Sequence, residues 1–185
     1  RCIRNEGAMN GIISSNVLTF DGIIKNKEFS EGILFNAFDS DGVNVFNLKD
    51  YIILGKINNS GIIVGQGLAE KNNINVDDSL KLINFDNYNY QNNINVVDLK
   101  VVSIFKTNIP FYDNHVVYAS QDIIKNFTKK SFLSQIVINI DNHHDGKNLI
   151  EEFDHNIENY YYDNWTQRHY EFLRWLNTYD APINI

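Results

Sequence analysis

An α+β fold is predicted by three features of this 185-residue chain. The first two thirds consist of short apolar or alternating runs separated by Gly, Asn and Asp, which is the chemistry of strands and turns. The last third then gives a strand, helix, strand order: residues 135–140 alternate, Leu149, Ile150 and Phe153 share one helical face, and residues 160–162 form a short strand. A closing amphipathic segment carries Trp165, His169, Phe172, Leu173, Leu176 and Tyr179 at helical spacing.

Strands are expected between residues 11 and 47. Ile12, Ile13, Val17, Leu18 and Phe20 form one, bounded by Asp21 and Gly22. Residues 32–38 form another, ending in the turn-rich Asp39-Ser40-Asp41-Gly42. Ile62-Ile63-Val64 is a continuous apolar run of the buried-strand type, and residues 66–71 make a short helix stopped by Asn72-Asn73. Residues 76–83 alternate as a half-buried strand does, and residues 96–105 supply the antiparallel partner. The polar, tyrosine-bearing stretch 84–95 between them is then a hairpin tip. His115-Val116-Val117-Tyr118 adds a strand, followed by a helix over 120–127 that starts near Ser120 or Gln121. Asp163 or Asn164 caps the last helix, and Pro182 ends it because proline cannot continue the hydrogen-bond ladder.

Composition bounds the function. Hydrophobic residues are 43% of the chain, aromatic residues 13% and charged residues 21%, a balance that allows a buried core and excludes a disordered or collagenous chain. The net charge is -7 and Lys and Arg are scattered. Without a basic stripe to displace counterions, nucleic acid is set aside as a partner. Cys2 is the single cysteine, so neither an intramolecular disulfide nor a thiolate metal cluster can form. No window reaches the roughly 18 consecutive apolar residues that cross a bilayer. The chain opens at Arg1 with neither an initiator Met nor a signal-like apolar core and stops soon after its last helix, so it reads as a segment of something longer.

The stretch GIIVGQGLAEKNNINVDDSLKLI tests for a nucleotide site. Gly65 and Gly67 follow an apolar run and precede a helix, as in a phosphate-cradling loop. The third glycine of a dinucleotide fingerprint is missing, however, and Glu70 puts an anion where pyrophosphate would approach. No Lys-Ser or Lys-Thr follows either, so no cofactor is expected. His143 and His144, beside Asp141 and Asp145, are adjacent on a turn and point apart, whereas metal ligands converge from separated positions. No G-x-S-x-G elbow occurs, and the paired carboxylates Asp77-Asp78 and Glu151-Glu152 are sequence neighbours that face apart. No catalytic, cofactor or metal residue is assigned.

Two aromatic groups remain. Phe85, Tyr88 and Tyr90 sit in the hairpin tip, where exposed rings either anchor a partner or pack on their own hairpin. Trp165, Trp175 and Tyr179, with Tyr170, crowd the last helix. They fit either a helix leading to a membrane surface, where rings with one wet edge gather, or ordinary core packing.

The order of four blocks resembles a known family. GIIVGQGLAEKNNINVDDSLKLI, then LKVVSIFKTNIPFYDNHVVYASQDIIKNF, then SQIVINID, then NWTQRHYEFLRWL is similar to the extracytoplasmic domain of ABC-transporter permeases of the lipoprotein-releasing LolC and LolE type, within the wider group that shares a MacB-like periplasmic core. Two departures stand out. Asp77 occupies the glycine of the family's Gly-Asp turn, and Ser103 the glycine of its VxGxF strand, while the aromatic-Asp pair is kept as Tyr112-Asp113.

The resemblance implies two subdomains: a porter-like βαβ layer from residues 1–50 and 131–185, and an inserted β-rich, Sabre-like subdomain over 51–130 with the hairpin 84–95. It implies a bacterial inner-membrane permease with this domain facing the periplasm, and ATP bound by a separate cytoplasmic subunit or domain. The domain itself is then not an enzyme and holds no cofactor. Implied partners are the ATPase, a partner permease, a lipoprotein or other amphiphilic substrate and, through the hairpin, a periplasmic lipoprotein carrier. The rival reading is a free-standing extracytoplasmic module that binds a glycan or protein in an aromatic-lined groove.

Overall fold

Strand chemistry dominates the described residues, 12–85, 94–124 and 133–140 of a computed structural model. The chain divides into two units, 1–139 and 140–185; apart from Ile140 the second lies outside the described residues. In order the elements are β1 (Ile12–Lys25), β2 (Ser30–Phe38), α1 (Gly42–Val45), α2 (Leu48–Tyr51), β3 (Ile52–Gly55), β4 (Gly61–Gly65), α3 (Gln66–Asn72), β5 (Ser79–Phe85), β6 (Ile94–Phe105), α4 (Pro110–His115), β7 (Val116–Ser120), a 3-10 turn (Gln121–Ile124) and β8 (Leu133–Ile140).

Six strands close on themselves. The hydrogen-bonded order runs β2-β7-β4-β6-β5-β1, and β1 pairs back onto β2. The ring is mixed: β2 with β7 and β4 with β6 are parallel, and the other neighbours antiparallel. Closure leaves no open edge in the ring itself, which removes the unpaired backbone groups that an open sheet exposes. β8 lies beside β1, and β3 beside β6, as additions to the ring.

Alternation on each strand decides what the ring encloses. Leu18, Phe20 and Ile24 of β1, Phe35 and Ala37 of β2, Ile62 and Val64 of β4, Leu80 and Leu82 of β5, Leu99 and Val101 of β6, and Val117 and Ala119 of β7 belong to one buried cluster. Since every ring strand gives its alternate residues to this cluster, it is the interior. Leu68 and Ala69 of α3 and Ile124 of the 3-10 turn join it. A second cluster lies on the outer face, where Phe38, Ile63, Val102, Phe105, Val116 and Tyr118 meet Leu48 of α2. β4 and β7 therefore contribute to both clusters, and all five residues of each are buried.

Several expectations hold. β5 and β6 form the antiparallel pair, from Ser79↔Lys100 to Phe85↔Ile94. β4, α3, β7 and β8 lie where the pattern put them. Others are corrected. The first strand does not stop at Asp21-Gly22 but runs to Lys25, with Gly22 opposite Ile33. A Cβ there would press on Leu82 Cδ1 at 3.2 Å and the Ile83 carbonyl at 3.3 Å, so this glycine marks a close approach of strands and not a turn. The strand-rich stretch expected up to residue 47 gives way to a single-turn helix at Gly42–Val45, a second follows at Leu48–Tyr51, and Pro110 starts an unforeseen six-residue helix. After Ser120 the described chain is a 3-10 turn; residues 125–127 of the expected helix lie outside the described residues.

The boundary expected near residue 50 falls inside α2. Strands on both sides of it hydrogen-bond into the same ring, so the sheet is continuous across it. Most of 131–185 lies outside the described residues.

Candidate interaction surface

The glycines that suggested a phosphate loop are explained by packing. Gly65 ends the fully buried β4 and serves as N-cap of α3, with φ -68° and ψ 147°. The place a phosphate would take is filled by α4. A Cβ on Gly65 would collide with the backbone of Asp113, and one on Gly67 with the side chain of Asn114. Gly65 lets the end of β4 meet α4 at backbone distance, and Gly67 leaves room on α3 for the Asn114 side chain. Glu70 accepts a hydrogen bond from Gln66 one turn earlier on α3.

Asp113 ties the neighbouring loop. Its Oδ1 accepts hydrogen bonds from the Thr107 amide at 2.7 Å and the Thr107 hydroxyl at 2.8 Å, and its Oδ2 from the Asn108 amide at 3.0 Å. A carboxylate only 9% exposed is thereby satisfied by local donors. Asn108 takes a left-handed φ of 63°, which the loop needs to reverse before Pro110 opens α4. The two members of the aromatic-Asp pair therefore face opposite ways, with Asp113 turned in to fix the loop and Tyr112 left 41% exposed.

Both departures from the family pattern fall at special backbone positions. Asp77 has φ 78°, the left-handed region that favours glycine. Its amide donates to the Val101 carbonyl at 2.8 Å, and its carboxylate meets Lys100 Nζ at 2.7 Å. Ser103 sits just beyond a bulge, where the β4–β6 register jumps from Ile62↔Val101 to Ile63↔Ser103. The extra residue shifts the alternation, so Val101 and Ile104 face the interior while Val102 and Phe105 face the outer cluster. The Ser103 hydroxyl is buried and has no hydrogen-bond partner among the described residues.

Among the described residues, six of the ten exposed large apolar side chains fall in two groups. Ile109, Phe111 and Tyr112 are 51%, 53% and 41% exposed on the loop and helix that Asp113 fixes. The Phe111 ring meets Tyr112 edge-on at 5.7 Å and the His115 ring at 5.9 Å. A second group, Tyr51, Ile53 and Leu54, lies at β3. Behind α4, burial pushes the Tyr118 phenol well above its ordinary range, with Tyr112 adding to it.

Of the residues singled out from sequence, Phe85 ends β5 opposite Ile94 at the base of the hairpin. Tyr88, Tyr90, Trp165, Trp175 and Tyr179 lie outside the described residues, as does the paired-histidine turn. The α4 group was missed. Its signal was Ile109-Pro110-Phe111-Tyr112, an apolar run with a proline at a helix start, between polar loop residues.

Among the described residues there is no group of three or more His, Cys, Asp or Glu side chains placed to hold a metal, and no helix is long and apolar enough to cross a membrane. A cavity of about 450 Å³ opens beside residues 100–103 of β6, between the end of β3 at Gly55 and the turn that leads into β5 at Ser79. It is lined by Gly55, Lys56, Asn58, Ser60, Val76, Asp77, Lys100 and Val102. None of these is aromatic, so it is not the ring-lined groove a sugar-binding module would present.

No family model and no curated protein matches the chain. Its fold is nevertheless one already seen, that of extracytoplasmic domains of ABC-type transporters. The extracellular domain of the noncanonic ABC-type transporter YknZ from Gram-positive bacteria superposes with a TM-score of 0.55 at 12% identity, over 83% of this chain and 81% of that one. The periplasmic region of MacB from Actinobacillus actinomycetemcomitans gives 0.51 at 12% identity, over 78% and 68% respectively.

Proposed function

We propose that this chain is the extracytoplasmic domain of an ABC-transporter permease, itself non-catalytic, which passes ATP-driven movement of membrane helices to an exported substrate. The observation that carries the reading is the fold shared with YknZ and MacB. Two positions support it at residue level: Asp77 holds the left-handed turn where the permease pattern has glycine, and Asp113 of the aromatic-Asp pair fixes its loop through three hydrogen bonds. The finer assignment is to the LolC and LolE type, in a bacterial inner membrane. Its substrate is a lipoprotein or other amphiphile, and its ATPase a separate cytoplasmic subunit or domain.

Topology tests the placement. In the whole gene product, with Cys2 and any other native cysteine replaced by serine, Asn58→Cys is labelled by a membrane-impermeant maleimide in cells whose outer barrier is opened. Protection until the cells are lysed refutes the placement. Stoichiometric binding of ATP by the chain itself, measured by calorimetry, would contradict the non-catalytic role. Carrier recruitment by the hairpin predicts that Tyr88→Ala with Tyr90→Ala lowers recovery of a periplasmic lipoprotein carrier in a pull-down, and equal recovery removes that part.

A further inference from the structure

We propose that Asn58 is an acceptor for an N-linked glycan, an inference that rests on the extracytoplasmic placement proposed above. The first observation is the motif. Asn58-Asn59-Ser60 reads Asn-x-Ser without proline in the middle, the pattern that marks such an acceptor on a surface loop of an exported protein. The pattern recurs at Asn126-Phe127-Thr128 and Asn164-Trp165-Thr166, which are not within the described residues. In a chain this rich in asparagine the triplet also arises by chance, so geometry has to decide.

The geometry of the first triplet suits the chemistry. Asn58, Asn59 and Ser60 are all exposed, in the connection between β3 and β4. The Ser60 hydroxyl donates to Asn58 Oδ1 at 2.6 Å, and the Ser60 amide donates to the same oxygen at 2.9 Å. A backbone N–H can meet only an acceptor, so these bonds fix which end of the side chain is the oxygen. Nδ2 then has no hydrogen-bond partner among the described residues. Asn58 and Ser60 also line the open cavity beside β6, which leaves space around them.

The backbone permits entry into a transferase. Lys56 is bonded to the Val102 carbonyl, and Gly61 pairs with Lys100. Between them, no backbone group of residues 57–60 bonds to a strand among the described residues. The turn can therefore shift into a cleft without opening the sheet.

The step is a substitution with a polyprenyl-diphosphate-linked glycan as donor. Nδ2 forms a bond to the anomeric carbon, and the bond from that carbon to the diphosphate oxygen breaks, its electron pair leaving on the oxygen. One Nδ2 proton passes to a base of the transferase, and nothing is oxidised or reduced. An amide nitrogen is a poor nucleophile because its lone pair is shared with the carbonyl. Two donors on Oδ1 stabilise the charge that gathers there as the proton leaves, and so favour the nucleophilic imidate form.

The test is transfer to the folded 185-residue chain by a purified oligosaccharyltransferase that accepts Asn-x-Ser, with that lipid-linked donor. Trypsin then releases residues 57–71, in which Asn58 begins the one such triplet, and mass spectrometry reads the peptide. The wild-type peptide is expected to gain the mass of one glycan on Asn58. Asn58→Gln and Ser60→Ala should abolish the gain, and Ser60→Thr, which keeps the hydroxyl, should retain it. Thermal melts that match the wild type show that these exposed substitutions leave the fold intact. An unmodified peptide from the folded chain overturns the proposal, even where the free synthetic peptide is modified, because the fold then withholds the site. Equal transfer to wild type and Ser60→Ala overturns it as well. No membrane or export step enters this reaction, so it can fail while the transporter reading stands, and the maleimide experiment tests the placement separately.

Discussion

Two nearly identical strings meet opposite fates in this protein. Ile62-Ile63-Val64 in β4 is 0%, 1% and 0% exposed, whereas Ile53 and Leu54 in the similar Ile52-Ile53-Leu54 of β3 are 44% and 56% exposed. Hydrophobicity does not separate them. β4 has a hydrogen-bonded neighbour on each side, β6 and β7, with the interior cluster on one face and the outer cluster on the other. β3 has only β6 among its described partners. Burial is conferred by neighbours, and an apolar run is only eligible for it.

Truncating the same residue type in both strands separates the effect of neighbours from that of hydrophobicity. Ile63→Ala should cost about 2–5 kcal/mol, because it leaves a cavity in the outer cluster beneath Leu48 and the rings of Phe105 and Tyr118. Ile53→Ala should cost well under that, since its side chain is already largely in water. Urea unfolding of both variants reads the difference, and equal losses would mean that β3 is covered in solution. Next in size, Gly65→Ala should destabilise by about 1–3 kcal/mol through the clash with the Asp113 backbone. A neutral result would show that α4 can move away from β4.

Smaller effects should have the opposite sign. Asp77→Gly should stabilise by about 1 kcal/mol, because glycine adopts the φ of 78° without strain and the ion pair it gives up, with Lys100, is exposed. Ser103→Ala should be neutral or stabilising by up to about 1 kcal/mol, because the hydroxyl it removes is buried without a partner. A clear loss of stability at Ser103 would reveal a hydrogen bond through water. Both shifts are read as denaturation midpoints.

Much of the first unit was legible because its signals are local. Alternation named β5, β6 and β8, and a continuous apolar run named β4. The Asn pair marked the end of α3, where Asn73 takes φ 53°. The missing third glycine and Glu70 set a nucleotide site aside, but they could not say why Gly65 and Gly67 are there. That answer depends on α4, some 45 residues later in the chain, arriving against them. Gly22 misled for the same reason, since only the approach of β5 distinguishes a mid-strand glycine from a turn. The α4 group was missed because an apolar run of three or four residues looks the same whether a fold covers it or leaves it out.

By itself the sequence determined the strand-rich character, the order of the elements and the absence of a basic stripe, because these follow from residue period and composition. It also determined where the pattern departs from the permease motifs, at Asp77 and Ser103. Only the tertiary structure decided that β1 returns to β2 to close a six-stranded ring, that β4 and β7 are buried on both faces, and that Ile109, Phe111 and Tyr112 are left outside. The reason is physical: period fixes which residues share a face, but what covers a face depends on contacts between residues far apart in the chain.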